Sequence, residues 1–257
     1  MKTIAIANQK GGVGKTTTAV NLAAGMVRQG KKVLCLDFDP QCHLAKYLGH
    51  RFDEKHTITD FIFAKASYMD IPSPEGLIRH CTAGIDLIPS SLRLSKAETV
   101  LAQAMFRERV LADILELIVP SEQYDYLLID CNPSMGILLT NALVASDYVL
   151  IPVQTEEFSV DGLDDMMQLI QVVKAQINPH LEVVGLLPTM MANNNDSRSV
   201  AAWLRNEFPG QVFETGIGRY VDAPRSVKAK KPLIGTKSKV ADQYMAATME
   251  LLSRLEG

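Results

Sequence analysis

Lys10-Gly11-Gly12-Val13-Gly14-Lys15-Thr16-Thr17 is the stretch from which this 257-residue chain is best read. It follows a short, continuously apolar run, Thr3-Ile4-Ala5-Ile6-Ala7, which reads as a buried β-strand. It precedes a helical pattern over residues 19–27. Strand, glycine-rich turn, helix is the setting that a phosphate-binding loop requires. Glycines let the backbone turn tightly and aim its N–H groups inward. The helix N-terminus adds its positive end, and Lys15 adds a full charge. Thr16 offers a hydroxyl to Mg²⁺.

The general pattern G-x-x-x-x-G-K-[ST] wants glycine at position 9, but here Gln9 stands there and a second lysine, Lys10, follows. A lysine five residues before the usual one does not crowd its own cradle and is free to reach something else.

Composition narrows the setting. Hydrophobic residues make up 47% of the chain, enough for a sizeable core, and the formal net charge is −3. Contact with nucleic acid must therefore come from a local patch. Cys35, Cys42, Cys81 and Cys131 show no C-x-x-C spacing and suit a reducing cytosol. The five histidines do not pair with them at zinc-ligand spacing. The chain opens directly on a strand, so no signal peptide is expected. No apolar run nears the ~20 residues of a membrane helix. The expectation is a cytoplasmic protein.

Strands are expected at 33–37, 84–89 (an edge, from its alternating polarity), 126–130, 148–153 and 183–187, with a short seventh at 212–215. Amphipathic helices are expected at 97–118 and 161–176. Residues 50–80 are irregular and are expected to form short helices over the sheet edge. Apolar strands alternating with helices predict an α/β fold: a mostly parallel twisted sheet covered on both faces, in one domain spanning residues 1–257.

Ligands of open parallel sheets sit at the carboxyl ends of the strands. Asp37-Phe38-Asp39-Pro40-Gln41 follows the second strand. Asp39 either faces a terminal phosphate and its attacking water or simply helps start a helix near Cys42 or His43. The run Tyr126-Leu127-Leu128-Ile129-Asp130 has the Walker B form, in which the carboxylate bonds Mg²⁺ beside Thr16. Many buried strands end in aspartate, so its weight comes from the pairing with residues 10–17. Without an N/T-K-x-D run, adenine is preferred to guanine.

Together, Lys10–Thr17, Asp37–Gln41 and Leu128-Ile129-Asp130-Cys131-Asn132-Pro133-Ser134 closely resemble the deviant Walker A ATPases of the ParA/Soj/MinD group, with ParA/Soj closest. The resemblance covers most of the chain and implies a P-loop NTPase fold with ATP and Mg²⁺ as cofactors. It implies that Lys10 reaches the partner's phosphates across an ATP-sandwiched homodimer, and that Lys15 holds phosphate within its own subunit. Gly11, Gly12, Val13, Gly14, Thr16 and Thr17 complete the ATP cradle, and Arg219 belongs to the late adenine loop. Thr16, Asp39 and Asp130 serve the metal, and Lys10, Lys15 and Asp39 serve slow hydrolysis stimulated by a ParB-like partner. Two positions depart from the family pattern. Asn132 stands where D-x-P-P-S has its first proline, and Gly218 stands where Ile-Pro-Arg has proline.

Members of the group bind either nonspecific DNA or membrane. Between Arg219 and Lys239 the bases are Arg219, Arg225, Lys228, Lys230, Lys231, Lys237 and Lys239, against the single acid Asp222. Arg198 and Arg205 precede them. The cluster reads either as a phosphate-contacting patch or as a solvated basic face. The C-terminal amphipathic stretch 246–257 exposes Glu250, Arg254 and Glu256, which is not the lysine-rich face that anionic lipid attracts. Nucleoid DNA is the expected partner and membrane is not. A rival expectation is a metabolic or metal-transfer enzyme on the same scaffold, as in nitrogenase iron protein or dethiobiotin synthetase, with Cys131 as a lone cluster ligand. A third is a regulatory protein gated by ATP without DNA binding.

Overall fold

The computed structural model describes residues 1–50, 55–120, 122–156 and 162–256. Residues 51–54 of the irregular stretch, residue 161 of an expected helix and residue 257 lie outside them. The strands are β1 (Lys2–Ile6), β2 (Val33–Phe38), β3 (Arg79–His80), β4 (Asp86–Ile88), β5 (Tyr126–Cys131), β6 (Tyr148–Gln154) and β7 (Glu182–Thr189). They form one sheet of order β3-β4-β2-β5-β1-β6-β7. Every pairing is parallel except β3 with β4.

Helices cover both faces, as continuous apolar strands require. One face packs Leu34, Leu36, Phe38, Leu127 and Ile129 against α3 (Ile58–Ala66), α4 (Ala97–Leu101), α5 (Val110–Ile118), α6 (Ile137–Val144) and α7 (Leu163–Gln176). The other packs Ile4, Ile6, Cys35 and Leu128 against α1 (Lys15–Arg28), α2 (His43–Tyr47) and α10 (Lys239–Glu256). Alternation along β2 and β5 turns Asp37 and Asp130 toward the α1 face, with Cys35 and Leu128. No helix among the described residues is long and apolar enough to cross a membrane.

Three expectations change. The run 84–89 is not the edge, because the two-residue β3 pairs antiparallel outside β4. The helix expected over 97–118 is two helices. Asn141 on α6 accepts the Leu111 N–H (3.0 Å) and donates to the Arg107 carbonyl (2.8 Å), so α5 starts afresh there. The run 212–215 is not a strand and makes only a bridge from Leu186 to Val212. Side chains of α10 take its backbone groups instead. Glu250 accepts the N–H groups of Glu214 and Thr215, and Arg254 donates to the carbonyls of Gln211 and Val212. The Arg254 guanidinium also lies 4.4 Å from the Phe213 ring centre. The C-terminal helix is thus a packing element, as its non-basic face suggested.

α1 and α10 touch closely at one point. A Cβ added at Gly25 would lie 2.3 Å from the Thr248 hydroxyl. Gly25→Ala should lower stability by about 1–3 kcal/mol through overpacking, despite the ~1 kcal/mol that alanine gains in a helix interior. Thermal or denaturant unfolding checks this. Thr248→Ala in the same chain should recover most of the loss, and purely additive effects would show that the contact is not the cause.

Candidate functional site

The site is built where three adjacent central strands stop level. Ile6 of β1 stands opposite Asp130 of β5, and Asp130 stands opposite Asp37 of β2. The phosphate loop, the Asp39 turn and the Walker B aspartate therefore leave the sheet side by side.

Residues 7–14 form the loop. Gly12 and Gly14 have φ of 78° and 90°, the left-handed region that glycine tolerates. Gly14 is the N-cap of α1, and no side chain caps that helix. Its first N–H groups remain available to an anion. Asn8, buried and unremarked in sequence, holds the loop's root. Its Nδ2 donates to the Pro152 carbonyl and its Oδ1 accepts the Lys10 N–H, both at 2.8 Å. The other side is held by Thr189, whose hydroxyl donates to the Val13 carbonyl (2.9 Å). Gln9 fills the space beside Gly162, where an added Cβ would come within 1.5 Å of Gln9 Nε2.

The Lys15 ammonium is buried and donates to the Lys10 carbonyl (3.0 Å). Burial lowers its pKa, opposed by the nearby Asp130, Cys131 and Asp39. Asp130 is also buried, and burial pushes its carboxyl up to about 7. The Thr16 hydroxyl beside it favours the charged form, yet neither carboxylate oxygen has a hydrogen bond of good geometry. Asp37 is fully buried; burial and then the charge of Asp130 hold its pKa well above the carboxylate range. Its oxygens accept the Ala45 N–H (2.9 Å) and, at 3.4 Å, the Asp39 N–H. Asp39 is half-buried, and its Oδ1 accepts the Gln41 N–H (2.8 Å). It is thus both part of the turn before α2 and within electrostatic reach of Lys15 and Asp130.

Orphaned carboxylate oxygens beside a threonine hydroxyl fit a hydrated divalent cation. Among the described residues no group of three or more His, Cys, Asp or Glu side chains would hold a metal alone. That suits Mg²⁺, which usually takes its remaining oxygens from water and substrate phosphate. Beyond Gly14 and Thr17 a cavity of about 370 Å³ opens, mostly apolar and lined also by Ile217, Gly218, Arg219 and Tyr244. Its shape and lining suit a planar base. Arg219 is exposed and pairs with Glu156 at 3.3 Å.

Comparison with known proteins agrees with this geometry. A family model described as an AAA domain matches residues 1–183. The chromosome partitioning protein ParA of Caulobacter vibrioides is 36% identical, over 99% of this chain and 95% of that protein. The sporulation initiation inhibitor protein Soj of Bacillus subtilis is 37% identical, over 97% and 98%. The chain belongs to the ParA/Soj family. Among solved structures, a Mycobacterium smegmatis protein described as cobyrinic acid a,c-diamide synthase, with bound ADP and magnesium, superposes with a TM-score of 0.86 at 29% identity, covering 100% of this chain and 96% of that one.

The structure accounts for one departure from the ParA/Soj pattern. A Cβ at position 218 would lie 2.5 Å from the Tyr220 ring, and the Gly218 N–H donates to Gln243 Oε1 (2.9 Å). A proline there would lose the donor and strike the ring. At the other departure, Asn132 is buried with its Oδ1 unpartnered; nothing in the structure explains the choice of asparagine. Cys131 faces the core on the α5–α6 side. It donates to the Ile129 carbonyl (3.6 Å), and burial pushes its thiol well up, so it is not an exposed cluster ligand.

Arg225 and Lys228 lie on α9 (Asp222–Ala229), with Lys230 and Lys231 just beyond it, and all four are exposed. Arg198 and Arg205 lie within α8 (Asn195–Glu207). Arg198 is exposed and donates to Asn193 Oδ1 (2.7 Å).

Asn8→Ala should weaken mononucleotide binding by about tenfold, or ~1.4 kcal/mol, because the loop root loses its tie and the buried Pro152 carbonyl loses its donor. Titration with a fluorescent ATP analogue checks this. Unchanged affinity would mean that Thr189 alone holds the loop.

Proposed function

We propose that this chain is an ATP-dependent partition or positioning ATPase. ATP binding closes a homodimer, the dimer binds DNA without sequence preference, and a partner protein stimulates slow hydrolysis and release. The observation that carries this proposal is the convergence of Lys15, Thr16, Asp39 and Asp130 beside a second loop lysine, Lys10, in a chain matched by ParA and Soj over nearly its whole length.

In this scheme Gly11–Thr17 cradle the phosphates of ATP, and Lys15 neutralises them from within the subunit. Lys10 extends to the phosphates of the partner subunit. Thr16, Asp130 and Asp39 hold Mg²⁺, which supplies charge neutralisation at the phosphates when bound. Asp39 also orients the attacking water. Its place in a turn, not inside a strand, lets it adjust when nucleotide arrives. Arg219 borders the base. The smegmatis relative is also solved with an ATP analogue and magnesium, which supports ATP and Mg²⁺ as the cofactors here.

Arg225, Lys228, Lys230 and Lys231, with Arg219 and Arg198, form the DNA-facing surface. Their exposure suits contacts to phosphate without base readout, with Arg219 also paired to Glu156 and Arg225 to Asp222. The C-terminal helix spends Glu250 and Arg254 on the chain's own backbone, which favours DNA over membrane. The implied location is the cytoplasm, at the nucleoid.

A second possibility is an amide-forming enzyme, favoured by the description of the smegmatis relative. An acid-dependent burst of ATP cleavage with an amide product would support it. Stimulation of turnover by a partner and DNA would not.

Lys10→Ala should abolish ATP-dependent dimerisation, read by light scattering, while leaving mononucleotide affinity near wild type; a retained dimer would sink the sandwich scheme. Asp39→Ala should bind ATP and stay dimeric with turnover lowered by about 10²-fold or more, the scale of losing a positioned catalytic group. Arg225→Glu with Lys228→Glu should weaken DNA binding uniformly across sequences. It should also flatten the salt dependence by about two units of slope, one for each lost phosphate contact. Arg219 is left intact in that test because it also borders the base pocket.

A further inference from the structure

Helix α9 carries exposed cations but rests on the body of the protein through very little. Ser226 is its only buried residue. The Ser226 hydroxyl donates to the Ala223 carbonyl (2.8 Å), so it receives the hydroxyl of Tyr47 at 2.5 Å. Tyr47 is the last residue of α2 and is 1% exposed. Its oxygen in turn accepts from Asn21 Nδ2 at 3.4 Å. Asn21, fully buried on α1, also donates to the Thr17 carbonyl (2.8 Å). Its Oδ1 accepts the Leu233 N–H (2.7 Å), just beyond α9.

These bonds run in one direction, Asn21 to Tyr47 to Ser226 to Ala223. They add directional ties between three elements whose apolar residues already share one core cluster. At its other end α2 is tied to the carboxylate turn. The Cys42 N–H donates to the Asp39 carbonyl (3.0 Å) and the Ala45 N–H to Asp37 Oδ2 (2.9 Å). With five residues, α2 is little more than one turn, short enough to move as a unit. Both elements are bounded by non-glycine residues in the left-handed region, Cys42 before α2 and Lys230 after α9, each with φ of 53°. Such residues are held in a sparsely populated backbone region and cluster where a backbone switches. A buried polar chain is costly to leave half-made, so α9 has reason to follow Tyr47.

We infer that Tyr47 and Ser226 are positioning residues that seat the basic helix α9 on the helix following Asp39, so that the nucleotide state of the Asp39 turn sets how α9 presents its cations to DNA. The DNA part of this inference rests on the function proposed above. The coupling part does not.

The test uses the full chain carrying Tyr47→Phe or Ser226→Ala. Each change removes one hydroxyl and keeps the rest of the side chain's bulk, and thermal unfolding confirms that each variant folds. Hydrogen exchange over residues 222–236 is measured with and without ATP and Mg²⁺, and affinity for a random-sequence duplex is measured under the same two conditions. In the wild type, ATP should change exchange in this segment. In both variants that response should be lost, while exchange around residues 10–17 still responds. The ratio of DNA affinity with ATP to that without should fall about tenfold, the scale of one coupling interaction, while DNA-free ATP turnover stays at the wild-type value. A segment 222–236 that responds to ATP equally in wild type and variants, or in none of them, overturns the coupling. If the response is present in the wild type and lost in the variants, but wild-type protein with ATP binds no duplex, the coupling stands and the proposed DNA binding falls.

Discussion

A buried ammonium and a buried carboxyl share one corner of this protein without a direct bond between them. Lys15 and Asp130 lie within electrostatic reach, each shifted by burial toward its neutral form. Burying such groups without full partners is costly. The cost is sustained because three parallel strands end level beneath them and fix their backbones. What is unsatisfied in the free chain is complementary to a phosphate and a divalent cation. Ligand binding is therefore expected to stabilise the fold as well as fill a site. Asp37 continues the same logic one strand away, trading exposure for two backbone hydrogen bonds that shape the Asp39 turn.

Much of this was legible in the sequence because it depends on local chemistry. Continuous apolar runs gave β1, β2, β5, β6 and β7, and the glycines and lysines of residues 10–17 gave the loop. What sequence missed lies in long-range side-chain bonds. Nothing near Met105 or Phe106 marks the break between α4 and α5; the cause is Asn141, some thirty residues later. Nothing in 212–215 forbids a strand; Glu250 and Arg254 claim its backbone from the far end of the chain. The two-residue β3 is too short for any alternation to register. Asn8 looked like an ordinary loop residue because its importance lies in its bond to Pro152.

The same contrast explains why Gly218 looked anomalous. Against the family pattern it is a missing proline. In the folded chain it makes room for the Tyr220 ring and supplies an N–H to Gln243. The departure is matched by its neighbours at the wall of the apolar cavity, and it would be misjudged if read one residue at a time.

The close approach of Gly25 to Thr248 also has a bearing on synthesis. The helix that begins at Lys15 is made more than 200 residues before the helix it packs against. Until residues 239–256 emerge, the Gly25 face has no cover and the backbone of 211–215 lacks its Glu250 and Arg254 partners. A nascent chain can thus display its phosphate loop early, yet the helix behind that loop becomes fully buried only once residues 239–256 are available to pack on it.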